Sequence, residues 1–192
     1  FFLRKINMKN KGGYLLLESI ISLSIILTLS LVLYSLLILC INTKSSIEDK
    51  IEVQQQGLEM SKSIKSLIEK SKGIIDIEFD NTDNINEEGV NFKSAISVKC
   101  RYSNEDDVNY SNNKNKEISL KKGSNKLFIN TLNLNNQSEV GGYEIGDYVE
   151  KMYVSKDEND KFISMKLKLQ KNKEIYETKF KVYIRNFEGE FR

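Results

Sequence analysis

The spacing of apolar residues divides the chain into three parts, of which the first is an unbroken apolar segment. It runs from Tyr14 to Ile41, 28 residues in which Glu18 is the single charged side chain. At ~1.5 Å per residue a helix of this length rises about 42 Å, which exceeds the ~30 Å hydrocarbon core of a bilayer. The segment therefore predicts a transmembrane helix, and no other stretch of the sequence is apolar and long enough for a second.

The second part, from Asn42 to Lys72, is polar but keeps helical spacing, and Gly73 supplies a helix stop. Its apolar residues form two stripes, Ile47, Ile51 and Leu58 on one and Met60, Ile64, Leu67 and Ile68 on the next. Packing on a sheet is favoured over a soluble coiled coil, because the stripe drifts and Gln54 to Gly57 interrupts it. Gly57 is expected to weaken this helix by about 1 kcal/mol relative to alanine.

The third part, residues 74–192, alternates between apolar and polar positions as half-buried strands do. The clearest case is a hairpin with a turn at Lys171–Lys173, one buried face and one wet face. Strands are predicted at Ile74–Phe79, Val90–Tyr102, Glu117–Lys121, Lys126–Leu132, Gly142–Val154, Ile163–Leu169 and Tyr176–Ile184, and exposed loops at Ser103–Lys116 and Asn130–Ser138. The pattern predicts an α+β fold, a long N-terminal helix packed on a C-terminal antiparallel β-sheet domain.

Composition excludes several classes of function. The net charge of +2 comes from 29 basic and 27 acidic residues that are mixed along the chain, so no direct nucleic acid binding is expected. The chain has no His, which removes Ser-His-Asp and Cys-His nucleophilic sites and HExxH zinc sites. The acidic groups at Glu105–Asp107 and Asp157–Asp160 do not follow an EF-hand loop and are expected to be solvated turns. We expect no enzyme activity, no catalytic residue, no metal and no cofactor.

Charges that flank the apolar segment predict its orientation. Residues 1–13 contain no acid and four basic side chains, Arg4, Lys5, Lys9 and Lys11. The far side carries Lys44 followed by Glu48 and Asp49. The positive-inside rule therefore places the N-terminus in the cytoplasm and the C-terminal domain outside a single-pass membrane protein. Because Met8 opens the short stretch MKNKGG, it is the expected true start of the chain.

The residues at the start of the apolar segment, KGG-YLLLE, resemble the type IV prepilin cleavage and methylation signal. The points of agreement are a basic leader, Gly13 at the junction, the aromatic Tyr14, an apolar helix, and Glu18 at the fifth mature position. Two departures are Tyr14 where Phe is usual and Leu15 where Thr is common. The apolar segment also lacks the Pro that many major pilins carry, which favours a minor subunit.

The resemblance implies a defined order of processing. A membrane prepilin peptidase would cut the Gly13–Tyr14 bond on the cytoplasmic side and N-methylate Tyr14, leaving residues 1–13 as a leader. A glycine at the junction allows close approach to the backbone, because it has no Cβ. The new amine of Tyr14 would then pair with Glu18 of a neighbouring subunit, and two charges buried together offset each other's desolvation.

The resemblance also implies a pilin-like fold and a filament. Residues 14–41 would form the transmembrane and filament-core helix, 42–73 its amphipathic continuation, and 74–192 the extracytoplasmic sheet domain. The expected partners are other pilin or pseudopilin subunits, the prepilin peptidase, the assembly platform protein, its ATPase and the membrane, with a cell-surface filament as the final location. The systems that share such a helix serve motility, adhesion, protein secretion or competence and DNA uptake. The alternative is a single-pass membrane-anchored protein whose extracytoplasmic domain binds a ligand.

Overall fold

A computed structural model describes residues 11–87, 89–103, 114–157 and 161–187. The leader residues before Lys11, the proposed start at Met8, the acidic group Glu105–Asp107 and most of the acidic group that follows Asp157 lie outside the described residues. In the described residues the chain forms one helix, α1 (Lys11–Lys70), followed by strands. These are β1 (Gly73–Glu87), β2 (Val90–Arg101), β3 (Lys116–Lys121), β4 (Lys126–Thr131), β5 (Tyr143–Gly146), β6 (Val149–Lys156), β7 (Phe162–Lys171) and β8 (Glu174–Tyr183).

The chain separates into two compact units, Phe1–Ile47 and Glu48–Arg192. Within the first unit, every described side chain from Gly13 to Ile47 is exposed in the isolated chain. One described helix, which includes this stretch, is long and apolar enough by length and composition to cross a membrane. That finding agrees with the predicted single membrane span.

Within the second unit, all strand pairs are antiparallel. The strand order is β5-β4-β3-β2-β6-β7-β8, and β1 pairs with β2 beside this path. Strand β2 pairs with two strands along its length, with β3 through residues 97–100 and with β6 through residues 93–95. A curled antiparallel sheet with the end of α1 packed on it confirms the predicted α+β layout.

Only one of the two predicted helical stripes packs on the sheet. Met60, Ile64 and Ile68 are fully buried and join Val53 and Leu67 in a core with residues from β2, β3, β4, β6, β7 and β8. The first stripe was predicted to pack as well, and that is wrong: Ile51 is 56% exposed and Leu58 60%. The two stripes lie on different faces of one helix, so a single sheet covers only one of them.

The end of α1 is set by Ser71 rather than by Gly73. The backbone N–H of Ser71 donates to the carbonyl oxygen of Ile68 at 3.1 Å, and its hydroxyl donates to the same oxygen at 2.7 Å. Lys72 then donates its N–H to the carbonyl of Arg101 at 2.7 Å, so the chain has already joined the neighbouring strand. Gly73, which was predicted to stop the helix, is instead the first residue of β1.

Gly57 has a packing role that the sequence does not reveal. A Cβ at this position would lie 2.6 Å from Cε1 and 2.8 Å from Cδ1 of Tyr176 on β8. Carbon atoms make optimal contact at about 3.5–4.0 Å, so no side chain fits without displacing the ring. The glycine therefore allows the ring to lie directly on the helix backbone.

Gly57→Ala is expected to lower the free energy of unfolding by about 1 kcal/mol, because overpacking of about 1–3 kcal/mol outweighs the ~1 kcal/mol gain in helix propensity. In a Tyr176→Ala background the same change should raise it by about 1 kcal/mol, since only the propensity difference remains. Denaturant unfolding of the four proteins measures both effects. Stabilisation by Gly57→Ala in the wild-type background would contradict the close packing.

The strand predicted at Gly142–Val154 is two strands, β5 and β6, separated by Asp147 and Tyr148. Tyr148 has a φ of 66°, a left-handed backbone that side chains other than glycine rarely adopt. A residue distant in sequence stabilises this break: the N–H of Val149 donates to the carbonyl of Asn125 at 2.8 Å. The break falls at Gly146 and Asp147, which interrupt the apolar alternation and belong to residue types depleted in strands.

The predicted wet face of β7 is partly covered. Lys166 is on that face, yet its side chain is only 7% exposed. Its ammonium group contacts Glu87, at the end of β1, at 2.5 Å and Glu177 of β8 at 2.9 Å. Contacts from the β1–β2 hairpin therefore reach a face that alternation alone predicted to be open to water.

Candidate functional site

The residues predicted to be processed and assembled lie in the first turns of α1. Gly13, Tyr14 and Glu18 are all helical, and Tyr14 is 71% exposed. Tyr14 and Glu18 are four residues apart, so they lie on the same face of the helix with Cβ atoms about 5–6 Å apart. The structure thus places the predicted junction and the predicted charge within about one turn of each other.

The Ser and Thr hydroxyl groups of the apolar segment are satisfied by their own helix. Each Ser and Thr between Tyr14 and Ile41 donates to a carbonyl oxygen three or four residues earlier, at 2.6–2.9 Å. These residues are Ser19, Ser22, Ser24, Thr28, Ser30 and Ser35. Unsatisfied polar groups are costly in a hydrocarbon environment, and back-bonding removes that cost. The six Ser and Thr side chains are therefore compatible with an apolar environment.

Glu18 differs from these hydroxyl residues. Its backbone carbonyl accepts the hydroxyl of Ser22 at 2.8 Å, but no side chain of the described residues pairs with its carboxylate. A charged carboxylate in the middle of a membrane span costs on the order of 3 kcal/mol. The side chain is exposed, so the isolated chain presents an acid that another molecule can reach.

Gly13 has open space around it in the folded chain. A Cβ built on this residue would meet no atom within 4 Å, so the fold itself does not require glycine here. The Gly13–Tyr14 peptide bond lies inside the helix, which begins at Lys11. A protease that binds an extended backbone would have to unwind this first turn, and a glycine makes that turn less stable by about 1 kcal/mol.

A second concentration of charge lies at the β7–β8 turn, within the unit that begins at Glu48. The ammonium of Lys171 contacts Glu52 at 2.5 Å and Asp49 at 3.1 Å. Asn172 donates to Asp49 at 2.8 Å, and the Tyr148 hydroxyl donates to Glu52 at 2.8 Å. Hydrogen bonds from Asn172 and Lys171 hold the pKa of Asp49 below its usual value, and those from Lys171 and Tyr148 lower the pKa of Glu52. This cluster fastens α1 to the β7–β8 turn.

The other reactive side chains that the structure describes are potential metal ligands and two cysteines. Among the described residues no group of three or more His, Cys, Asp or Glu side chains is placed to hold a metal ion. Cys100 is fully buried, and the loss of solvation raises the pKa of its thiol to about 12, so it remains protonated at neutral pH. Cys40 is exposed on α1.

Sequence reasoning missed the contacts of three residues that matter to the architecture, namely Gly57, Tyr148 and Lys166. Their contacts all involve residues distant in sequence, so no local motif marks them. A comparison with protein-family models, with curated proteins and with solved structures found no match to this chain.

Proposed function

We propose that this chain is a minor pilin or pseudopilin subunit. In this proposal a prepilin peptidase cleaves the Gly13–Tyr14 bond and methylates the amine of Tyr14. The platform protein and ATPase of the assembly system then move the subunit from the membrane into a filament with other subunits. The chain itself has no catalytic role, and its sheet unit faces the outside of the cell.

The observation that carries the proposal is the single acid at a fixed distance from the glycine junction. Glu18 is the one charged side chain among the 28 residues from Tyr14 to Ile41, and it follows the KGG-YLLL pattern. Each Ser and Thr hydroxyl of the segment is satisfied within the helix, whereas the carboxylate has no partner among the described residues. An acid that is costly in lipid and has no partner among the described residues is explained if its partner belongs to a second molecule.

The amine of Tyr14 is the partner that the proposal supplies. Before cleavage, the nitrogen of Tyr14 is an amide and carries no charge. Cleavage turns it into a cationic amine at the start of the helix, about 6 Å along the axis from Glu18, which is four residues further at ~1.5 Å each. Subunits shifted along the helix axis by that distance bring the amine of one beside the carboxylate of the other. Processing therefore has to precede pairing.

The second candidate is a membrane-anchored protein that keeps its leader and binds a ligand through the sheet unit. It is supported by the one helix that is long and apolar enough to span a membrane. It leaves the position of Glu18 relative to Gly13 unexplained. Both candidates predict a membrane protein, so localisation to the membrane alone does not distinguish them.

Fractionation of cells that produce the filament distinguishes the two candidates. The filament proposal predicts that mechanical shearing releases the chain together with the major subunit, and that deletion of the assembly ATPase leaves the chain in the membrane fraction only. A membrane-anchored binding protein would stay in the membrane fraction in both strains. Retention in both strains would overturn the filament proposal.

A further inference from the structure

The strand β8 forms one edge of the sheet and has a free side. It pairs only with β7 among the described strands, in a register that joins Lys171 to Glu174 across a two-residue turn. The N–H of Ile184 donates to the carbonyl of Lys161 at 3.0 Å, in the same register. Even-numbered residues of β8 therefore bond to β7, because bonding alternates along an antiparallel strand. The odd-numbered residues 175–183 direct their N–H and C=O groups away from the sheet.

No described strand pairs with the free edge of β8. All five odd-numbered side chains of β8 are exposed: Ile175, Glu177, Lys179, Lys181 and Tyr183. The chain leaves the edge only after Tyr183, where the N–H of Arg185 donates to the carbonyl of Glu69 on α1 at 3.2 Å. An exposed edge strand of ten residues offers a template on which another extended chain can form hydrogen bonds.

A groove runs between the free edge and α1, within the same unit. It has a volume of about 390 Å³ and is lined by α1 residues from Leu58 to Glu69 and by Thr178 of β8. Thr178 and Ser61 face each other, with their oxygens 3.3 Å apart. Leu58 is 60% exposed at one end of this groove. A strand added to β8 would place alternate side chains over the groove and over the outer face.

Charge on both sides of the free edge is mainly basic. Lys62 and Lys65 line the groove, and Lys179 and Lys181 lie on the outer face. Lys65 and Lys181 lie over the rings of Phe180 and Phe162, at 5.2 and 4.4 Å from the ring centroids. Because an aromatic ring carries no net charge, these contacts do not cancel the positive charge of either lysine.

The acids near the edge are already paired. Glu69 contacts Arg185 at 3.1 Å, and Glu177 contacts the buried Lys166 at 2.9 Å. Lys62, Lys65 and Lys181 form no ion pair with any residue that the structure describes. The edge therefore lies between positive charges on its two sides, Lys62 and Lys65 beside the groove and Lys181 on the outer face.

We propose that the β8 edge and the groove beside it form a docking surface for an acidic, extended segment of a partner polypeptide. The segment adds to the sheet as a further strand, its backbone bonds to the odd-numbered residues of β8, and the carboxylates on one of its faces lie opposite the lysines on that side of the edge. Backbone bonding of this kind provides affinity, and the flanking charges select the partner. The surface lies wholly within the Glu48–Arg192 unit, so the inference does not depend on processing at Gly13.

A designed peptide with alternating glutamates tests this surface. The full chain in detergent micelles is titrated against the fluorescein-labelled peptide TEVEVEVET at low salt, with binding followed by fluorescence anisotropy. Saturable binding is expected, with no binding of TKVKVKVKT, which reverses the charge. The peptide TEPEVEPET keeps the acidic charge but carries prolines that prevent strand pairing, so it should not bind either.

Matched charge reversals locate the binding surface on the protein. Lys62→Glu with Lys181→Glu should weaken peptide binding about tenfold, since it reverses one lysine on each side of the edge and places a repulsive charge opposite the glutamates on whichever side they lie. The control, Lys50→Glu with Lys121→Glu, also reverses one exposed helix lysine and one exposed strand lysine, and binding should not change. Thermal unfolding monitored by circular dichroism establishes that both variants are folded.

Amide hydrogen exchange measured by NMR gives the most specific result. Peptide binding should slow exchange at the odd-numbered amides between Ile175 and Tyr183 and leave the even-numbered ones, already bonded to β7, unchanged. Equal binding of all three peptides, equal weakening by the two charge reversals, or no protection at the odd amides would overturn the proposal. Concentration-dependent dimerisation that protects the same amides without peptide would assign the edge to a second copy instead.

Discussion

Replacement of Glu18 by alanine is expected to leave membrane insertion and cleavage at Gly13–Tyr14 intact and to reduce the chain in the sheared filament fraction by about tenfold or more. The physical reason is the unpaired charge: the amine of Tyr14 is cationic after cleavage, and burying one charge without its partner costs on the order of 3 kcal/mol. A difference of 1.4 kcal/mol already corresponds to a factor of about ten. Immunoblots of sheared and membrane fractions measure the ratio.

Two further variants separate charge from size and from local structure. Glu18→Gln keeps the shape of the side chain and removes the charge, so it should fail in filament incorporation as Glu18→Ala does. Ser22→Ala lies one turn later, and the hydroxyl that it removes is already satisfied by the carbonyl of Glu18 at 2.8 Å. This control should be incorporated normally. Wild-type incorporation of Glu18→Ala would remove the role of the carboxylate in assembly.

Ile64→Ala is expected to lower the free energy of unfolding by about 2–5 kcal/mol, the range for truncation of a fully buried aliphatic side chain. Ile64 is 0% exposed and belongs to the core that joins α1 to the sheet. The matched control is Ile51→Ala, the same substitution on the same helix at a residue that is 56% exposed. It should change stability by no more than about 0.5 kcal/mol.

Urea unfolding of the full chain in detergent micelles, followed by tyrosine fluorescence, compares the two variants. A large difference between them supports packing of the second stripe, Met60 to Ile68, against the sheet. Equal destabilisation by Ile51→Ala and Ile64→Ala would mean that both stripes are covered in solution and would contradict this arrangement.

The long helix and the β7–β8 hairpin could be predicted because each has its own period, whereas β1 continues to Glu87, beyond its predicted end at Phe79. Apolar residues on α1 and alternation on β7 and β8 are local patterns, and the structure places helix and strands close to those bounds. The sequence could not show whether the stripe of Ile51 or that of Ile64 packs on the sheet. Both stripes are apolar, and the position of the sheet decides which one is buried. Gly57 was predicted to be a weakness of the helix, but it is where the ring of Tyr176 packs, a contact 119 residues away in sequence.

The candidate site can be recognised in the sequence because it is a short contiguous motif, and the role of its residues stays a prediction. Gly13, Tyr14 and Glu18 lie within six residues, and their spacing on a helix is fixed by its geometry. Their proposed partners belong to other molecules, so a single chain does not bring them together. The lysines beside the β8 edge lie on two elements, β8 and α1, and no sequence pattern shows that these elements adjoin.

Mass spectrometry of the mature N-terminus is the most direct test of the proposed function. The chain is purified from cells that produce the filament, digested, and its N-terminal peptide is sequenced by tandem mass spectrometry. The proposal predicts a peptide that begins at Tyr14 and carries one methyl group on its α-amine. A chain that retains Gly13 and the preceding leader, recovered from cells with an active prepilin peptidase, would contradict it.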